Sequence, residues 1–223
     1  MPSKFQTTVE MVAHTAKDIT AHPETFMSFL ETAANNYKYS FRDQMLIFAQ
    51  KPSATACAEI EVWNKLGRYV NRGTKGIALL VDRNVPYKLR HVFDISDTNS
   101  YYGNEVRLWA MKPEYEELVT EALENSFGEV ENKNTFSDVL FKIADLAVTD
   151  NLTDYCEQLN TVRDGSFLEK IDSFNSEVYF RELLKNSVQY MLLTRCGYNA
   201  EDFLDAEDFR DIYNFNTINA ADI

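Results

Sequence analysis

The sequence predicts an α+β fold in which N-terminal helices pack on a small antiparallel sheet and an acidic all-helical bundle follows. The spacing of apolar residues is the first observation behind this prediction. Apolar side chains recur at helical spacing up to Gly67, fall into short β-rich runs between residues 68 and 93, and return to helical spacing after Met111. A short strand-forming region is therefore flanked by helices.

The distribution of charge is the second observation. Residues 1–110 carry a net charge of +2, whereas residues 111–223 carry −15. The polar, glycine-bearing segment 96–106 lies close to this change and has the composition of a boundary. We predict an α+β domain over residues 1–105 and an acidic helical domain over residues 106–223.

Three helices are expected before the strands. The first covers residues 23–37, where apolar residues form a stripe and Pro23 suits the first turn. The second begins after Ser40, whose hydroxyl can cap the helix, and ends before Pro52. The third is short and ends at Gly67. Its apolar side consists of Ile60, Trp63 and Leu66.

Three strands are expected next. Residues 68–70 and 77–81 have β-rich composition, and the segment NRGTKG between them contains two glycines that can form a tight connection. These features predict a hairpin. Residues 87–93 alternate, with Tyr87, Leu89, His91 and Phe93 on one side. The other side carries Lys88, Arg90 and Val92, and we expect this basic side to face solvent.

From Met111 onward the pattern is helical. One helix is expected over residues 113–127 and is closed by Gly128. A second begins at Thr135, with Asp138 completing the cap. Further apolar stripes run over residues 155–162 and 177–195.

Signatures of catalysis, metal binding and membrane insertion are missing from the sequence. It contains no HExxH, GxSxG, P-loop or GxGxxG motif, and its three histidines are scattered. Its three cysteines leave one unpaired in any disulfide scheme and lack ligand spacing. No apolar run approaches the roughly 18 residues of a membrane span. We expect no enzymatic activity, no cofactor, no metal, no membrane association, and a cytoplasmic protein with reduced thiols.

Positive charge is concentrated in residues 63–90, which carry a net charge of +6 in a chain of −13. Arginine and lysine bind phosphate oxygens, glycine-rich turns expose backbone N–H groups to anions, and aromatic rings stack on unpaired bases. The candidate nucleic-acid-binding residues are Trp63, Lys65, Arg68, Tyr69, Arg72, Lys75, Lys88 and Arg90, with Tyr87 as a further aromatic. Trp63 lies on the apolar side of its helix with Ile60 and Leu66, which favours a core position over a stacking platform. The hypothesis requires the cations to stay clear of the acidic helices.

Several segments, in order, resemble the N-terminal domain of ArdC-type antirestriction proteins. They are YKYSFRDQMLIFAQ at 37–50, EVWNKLG around Trp63, VNRGTKG at 70–76 followed by IALLV, and HVFDISDT at 91–98. The similarity covers roughly residues 20–98. It is closest to the first segment of large multidomain proteins of bacterial conjugative elements, and there it extends to NSVQYMLLTRCGYN at 186–199.

This resemblance implies a single-stranded-DNA-binding α+β module of plasmids, phages or conjugative transposons. It places Arg68, Arg72 and Lys75 on the DNA-facing surface and implies no catalysis. The zinc-dependent protease-like part of ArdC-type proteins is not represented in the sequence, nor is a methylase or helicase signature. We therefore expect either a stand-alone relative or the N-terminal piece of a longer chain with downstream methylase or helicase domains.

Two other functions stay open at this stage. The acidic second half could act as an interaction or counter-defence surface that imitates a nucleic-acid backbone. The chain could also be a structural module that positions downstream domains. Sequence-tolerant binding of single-stranded DNA through the basic segment is the leading hypothesis.

Overall fold

The computed structural model describes residues 3–81, 88–100, 103, 105–163 and 167–216, and it confirms the α+β class. The α-helices within these ranges are α1 (Lys4–Ile19), α2 (Pro23–Asn35), α3 (Phe41–Gln50), α4 (Ile60–Lys65), α5 (Glu116–Phe127), α6 (Phe136–Thr161) and α7 (Ser173–Arg195). The strands are β1 (Cys57–Ala58), β2 (Arg68–Val70), β3 (Ile77–Leu80), β4 (Leu89–Asp94) and β5 (Thr98–Ser100). Short 3-10 helices lie at Ile95–Asp97, Pro113–Tyr115, Phe167–Lys170, Ala200–Asp202 and Ala206–Phe215.

The chain folds as two compact units of very different charge. The first, the cationic unit, comprises Met1–Asp18 and Thr32–Trp109; it has 13 Lys and Arg against 9 Asp and Glu, a net of +4. The second, the acidic unit, comprises Ile19–Glu31 and Ala110–Ile223; it has 9 against 26, a net of −17. The division into domains at residue 105 stays a prediction.

The strands of the cationic unit form two small sheets. One has the order β1-β4-β3 and the other consists of β2 and β5, all antiparallel. The predicted β2–β3 hairpin is therefore wrong. Only Gly73 of its two glycines has a positive φ, 87°, so the connection makes one turn and continues. Gly76 instead allows close packing, because a Cβ added there would lie 3.0 Å from the Phe93 ring.

The prediction that Lys88, Arg90 and Val92 face solvent is also wrong for two of the three. Val92 is fully buried and Arg90 is partly buried, whereas His91 is exposed. Strand β4 has apolar residues on both faces, so the alternation of apolar and polar residues does not by itself identify the buried face. Tyr87, the first residue of the predicted strand, lies outside the described residues.

Helix α3 organises the core of the cationic unit. Its N-terminus is capped as predicted, with the Ser40 side chain accepting the Asp43 backbone N–H. The Gln50 carboxamide donates to the Ala78 carbonyl and accepts its N–H, both at 2.9 Å, and so occupies the outer edge of β3. Each buried aliphatic side chain contributes about 1.5–3 kcal/mol. The core cluster comprises Leu46, Ile47, Ala54, Ile77, Leu79, Leu80 and Val92.

A buried carboxylate fixes the loops around β4. Asp94 is 0% exposed, and its Oδ1 accepts the N–H groups of Thr55 and Ala56 at 2.7 and 2.9 Å. Its Oδ2 accepts the N–H of Ser96 at 2.9 Å. Burial raises the pKa of this carboxyl, but the hydrogen bonds outweigh burial and hold the pKa below its ordinary value.

The acidic unit consists mainly of long helices, as predicted. The capping box of Thr135 and Asp138 is present, and α6 continues without a break through the region where a separate stripe was expected. Gly128 and Gly197 have the positive φ values of helix C-termini, 105° and 85°. Its core is aromatic, with ring centroids 5.5–5.9 Å apart in the pairs Phe26–Phe209, Tyr190–Phe209 and Phe180–Phe215.

Within the described part of the chain, no helix combines the length and apolar character that crossing a bilayer requires.

Candidate nucleic-acid interface

The β2–β5 pair, called the ribbon below, carries the centre of the candidate site. Its register places Tyr69 opposite Asn99, and Val70 opposite Thr98. Successive side chains of a strand point to opposite faces. Thr98 is buried and Asn99 is exposed, so the face that carries Tyr69 and Asn99 is the outer one.

Arg68 lies on the inner face and acts structurally. Its Nε donates to Thr98 Oγ1 at 2.7 Å, and its Nη2 donates to the carbonyl oxygens of Thr98 and Ile95 at 2.8 and 3.4 Å. These bonds connect β2 to the turn before β5. Three of the five N–H groups of Arg68 are therefore used within the unit, so this residue is mainly a structural contact of the inner face.

The turn after β2 presents two cations. The Thr74 N–H donates to the Asn71 carbonyl at 3.1 Å, and the Asn71 N–H donates to the Asp97 carbonyl at 2.9 Å. Arg72 occupies the tip of this turn, next to Gly73 with its positive φ. Arg72 and Lys75 are both exposed. No described carboxylate of the cationic unit lies within 4.0 Å of either charged group.

Lys65 lies at the opposite end of the ribbon. It is the last residue of α4, is exposed, and likewise has no described carboxylate of its unit within 4.0 Å. Gly67 and Asn71 are four positions apart, about 13 Å at the rise of a strand. Exposed cations therefore precede and follow β2 along the chain, and Tyr69 is the middle residue of that strand.

Carboxylates near the ribbon are neutralised by a different lysine. Lys51 lies 2.7 Å from Asp97 Oδ1 and 3.9 Å from Asp94 Oδ2. Asp97 directly precedes β5, and its ion pair reduces the repulsion that a phosphate would meet there.

Lys88 is exposed but stands apart from the ribbon turn. Its carbonyl accepts the Val81 N–H at 3.1 Å, at one end of the β3–β4 ladder. Lys75 precedes the other end, where Ile77 pairs with Val92. The ladder positions of Gly76 and Val81 are five residues apart, about 17 Å, so the structure does not bring Lys88 together with Lys75.

Arg90, another candidate, is committed to the interior of the unit. Its Nη2 lies 2.6 Å from Asp43 Oδ2, its Nη1 lies 3.5 Å from Glu59 Oε1, and its guanidinium carbon is 5.6 Å from the centre of the Tyr39 ring. Burial lowers the pKa of Arg90, but the hydrogen bond and attraction to Asp43 outweigh it and raise the pKa above its ordinary value. Two carboxylates therefore already occupy this cation.

Trp63 does not offer a stacking surface. Its side chain is 2% exposed, and its Nε1 donates to the Phe93 carbonyl at 2.9 Å. Of the apolar side predicted for α4, only Trp63 is buried, since Ile60 and Leu66 are 40% and 46% exposed. The burial of Trp63 favours a core position over a stacking platform. Tyr87 and Arg83 lie outside the described residues.

Asn99 is the residue of this surface that the sequence does not single out. Strand β5 has the sequence Thr-Asn-Ser and follows a 3-10 turn that Asp94 caps. Such a polar triplet has no apolar alternation, so the sequence does not predict a strand there. The Asp94 cap before it is the one local signal that another element begins. Its pairing with β2 makes Asn99 a neighbour of Tyr69.

No protein-family model, curated protein sequence or solved structure matches this chain.

Proposed function

We propose that the cationic unit binds single-stranded DNA along the outer face of the ribbon with little dependence on sequence. The observation that carries the proposal is that exposed Arg72 and Lys75 follow β2 and exposed Lys65 precedes it, while Tyr69 lies on the outer face of that strand. The resemblance to the N-terminal domain of ArdC-type proteins supports the same function, in a protein of a bacterial mobile genetic element.

The chemistry of these groups suits a phosphodiester strand. The guanidinium of Arg72 can bind two phosphate oxygens at once, and the ammonium groups of Lys65 and Lys75 add point charge. A base stacked on an aromatic ring contributes about 1–3 kcal/mol, whatever its identity. The combination gives affinity for a strand without requiring a particular sequence.

The same combination favours a single strand over a duplex. Bases in a duplex are stacked on one another, so their flat faces are not accessible to Tyr69. A duplex would keep only the phosphate contacts, whereas a single strand gains the stacking contact as well. RNA shares both features, and the choice between DNA and RNA rests on the resemblance alone.

A fluorescence titration of the full chain tests this proposal. Single-stranded and duplex 12-mers are titrated at several salt concentrations. Three phosphate contacts predict a log–log salt slope of about −2 for the single strand, and tighter binding of the single strand than of the duplex. Binding that is insensitive to salt, or no binding at low salt, contradicts the proposal.

The acidic unit supports a second candidate function, as an interaction surface for a basic partner. Its net charge of −17 is accompanied by an open groove of about 530 Å³ that α5 and the start of α6 line. The glutamates of the groove are Glu116, Glu117, Glu121 and Glu124, with Lys133 beside them. Analytical gel filtration of the full chain with restriction or CRISPR nucleases tests this function, and failure to form any complex argues against it.

A further inference from the structure

Helix α5 of the acidic unit carries a row of exposed apolar side chains, called the α5 stripe below. Tyr115, which directly precedes the helix, Leu118 and Ala122 are spaced i, i+3 and i+7, so they lie along one side of it. All three are exposed, Leu118 to 63%. The partly buried apolar residues of α5 are Val119 and Leu123, and the helix contacts α6. The stripe is therefore not the side by which α5 packs in its unit.

A row of carboxylates runs beside the α5 stripe. Glu114, Glu117 and Glu121 are all exposed, and each stands one position before a residue of the stripe. Glu114 lies 3.7 Å from Lys112. Among the described residues of the acidic unit, no cation lies within 4.0 Å of Glu117 or Glu121. The stripe is therefore bordered by negative charge that its own unit does not neutralise.

We propose that α5 is the docking site for a basic amphipathic helix of a partner protein. This inference goes beyond the binding of single-stranded DNA and rests on the second candidate function, for which it names the surface and the kind of partner. In paired helices, apolar residues at heptad positions a and d form the seam, and charged residues at e and g select the partner. In α5 the stripe occupies the seam positions, and Glu114 and Glu121 occupy position g.

The charge of α5 decides between the possible occupants. A second copy of the chain would bring the same glutamates, and a unit of net −17, against this surface. Like charges across an interface suppress association. A nucleic-acid strand would be repelled in the same way by its phosphates. A helix with Lys or Arg beside its own apolar seam is attracted instead, so a basic helix of another protein is the occupant that fits.

The groove beside Glu117 and Glu121 gives room for the long side chains of such a helix. Its volume is about 530 Å³, and the buried residues Phe136 and Val139 belong to its lining. The alkyl stem of a lysine or arginine packs on apolar surface while its charged end stays in a polar environment. Basic side chains of the partner therefore bind in the groove while its apolar side chains cover Leu118.

Fluorescence anisotropy with the full chain and a labelled synthetic peptide tests this proposal. The peptide has about 21 residues, with leucine at heptad positions a and d and lysine at e and g, where the repulsion between lysines keeps it from pairing with itself. A second peptide with glutamate at e and g is the charge control. We expect the lysine peptide to bind about tenfold or more tightly than the glutamate peptide at roughly physiological salt.

A pair of variants tests whether the apolar seam lies at α5. Leu118→Ser removes the centre of the stripe and should weaken binding of the lysine peptide by about tenfold, because the leucine side chain is no longer buried. The matched control Phe174→Ser changes an α7 side chain that is 73% exposed and should leave the affinity unchanged. Equal affinities of the two variants would overturn docking at α5.

A second pair of variants tests the carboxylates. Glu117→Gln/Glu121→Gln should weaken binding of the lysine peptide by about threefold or more. The control Glu157→Gln/Glu177→Gln removes the same charge from exposed positions of α6 and α7 and should weaken binding clearly less. Equal weakening would mean that the peptide responds only to the net charge of the unit, and would overturn the site.

Two further outcomes separate this proposal from its alternatives. Sedimentation that shows self-association of the unmodified chain, lost in Leu118→Ser, would make a second copy the occupant and overturn the proposal. Nuclease complexes that form equally well with Leu118→Ser would leave the second candidate function in place while contradicting docking at α5. Binding of single-stranded DNA should be the same in Leu118→Ser and in the unmodified protein.

Discussion

The two units differ in net charge, but the more informative difference is in how each uses its cations. Among the described residues of the acidic unit, carboxylates of the same unit pair with Lys112, Lys133, Arg181, Lys185 and Arg210, whereas Lys142 and Lys170 are exposed without one within 4.0 Å. In the cationic unit, the paired cations Lys51 and Arg90 hold loops and the sheet together. Lys65, Arg72, Lys75 and Lys88 are exposed, without a carboxylate of that unit within 4.0 Å among the described residues.

This comparison shows that a count of positive residues overstates a binding surface. Residues 63–90 contain seven Lys and Arg. Arg68 and Arg90 make contacts within the unit, and Lys88 lies at the end of the β3–β4 ladder that is far from the ribbon turn. Arg83 lies outside the described residues, so Lys65, Arg72 and Lys75 are the described cations that remain around the ribbon. The expected salt dependence is therefore smaller than the charge of the segment alone suggests.

The largest effect on stability is expected from the loss of the buried carboxylate of Asp94 in the cationic unit. Asp94→Ala leaves three backbone N–H groups without their acceptor and should lower the free energy of unfolding by about 3 kcal/mol or more. Urea denaturation measures the loss, with tryptophan fluorescence reporting on the cationic unit, which holds both Trp63 and Trp109, and circular dichroism reporting on the helices of the acidic unit. As a control in the acidic unit, Asp138→Ala removes a carboxylate that also accepts backbone N–H groups but is not buried as Asp94 is. The loss of stability in this variant should be smaller than in Asp94→Ala.

The stability of the cationic unit should also depend on pH through Asp94. Its pKa in the folded protein lies below the ordinary value of 3.8. The stabilisation is therefore complete above about pH 3.8 and is lost as the pH falls from there through the lower, folded-state pKa. Urea midpoints measured between pH 7 and pH 2 should fall in this acidic range, and less steeply in Asp94→Ala. Equal pH dependence in both proteins would exclude this role of Asp94.

Substitutions of Arg90 and Lys88 compare a cation that forms ion pairs within the unit with an exposed cation that has no described carboxylate nearby. Arg90→Ala leaves the buried Asp43 carboxylate without its cation, and Asp43 Oδ1 already has no hydrogen-bond partner among the described residues. The variant should be destabilised by about 2 kcal/mol and bind single-stranded DNA as the unmodified protein does at temperatures where both are folded. Lys88→Ala should leave stability unchanged. A large loss of DNA affinity in folded Arg90→Ala would show that this cation contacts DNA.

Tyr69→Leu tests whether the aromatic ring distinguishes single strands from duplexes. Leucine keeps an apolar side chain on the ribbon but offers no flat face to a base. Affinity for single-stranded 12-mers should fall by roughly tenfold, corresponding to the low end of base stacking on an aromatic ring, while affinity for duplex DNA stays the same. An equal loss for both would assign Tyr69 to the shape of the ribbon instead.

The smallest effect is expected for Trp63→Phe. The change removes the hydrogen bond to the Phe93 carbonyl and part of the buried ring, at a cost of about 1 kcal/mol in stability. DNA affinity should not change, because the ring is buried. Reduced affinity with unchanged stability would restore Trp63 as a binding residue.

Local sequence signals predicted the local features of this fold well. The caps at Ser40 and Thr135 and the helix-terminating glycines Gly67, Gly128 and Gly197 all follow from short-range chemistry, and the structure has each of them. The amphipathic helix α1 and the continuity of α6 were not predicted.

Features that depend on contacts between distant parts of the chain could not be predicted from such local signals. The partners that commit Arg68, Trp63 and Arg90 lie 27 to 47 positions away in the sequence. The pairing of β2 with β5 was not predicted either, because the polar triplet of β5 does not have the apolar alternation of a strand. The exposed cations Lys65, Arg72 and Lys75 were predictable, since they need no partner.

The central claim is that Arg72 and Lys75, with Lys65, contact the phosphates of a single strand. Its most direct test compares the double variant Arg72→Ala/Lys75→Ala with the charge-matched Lys4→Ala/Lys38→Ala in a salt titration of single-stranded DNA. Loss of two contacts predicts a salt slope shallower by about 1.4 and an affinity lower by roughly 20-fold at 0.1 M salt, for every sequence alike. The matched variant should keep the slope of the unmodified protein, and equal slopes in the two double variants would contradict the account.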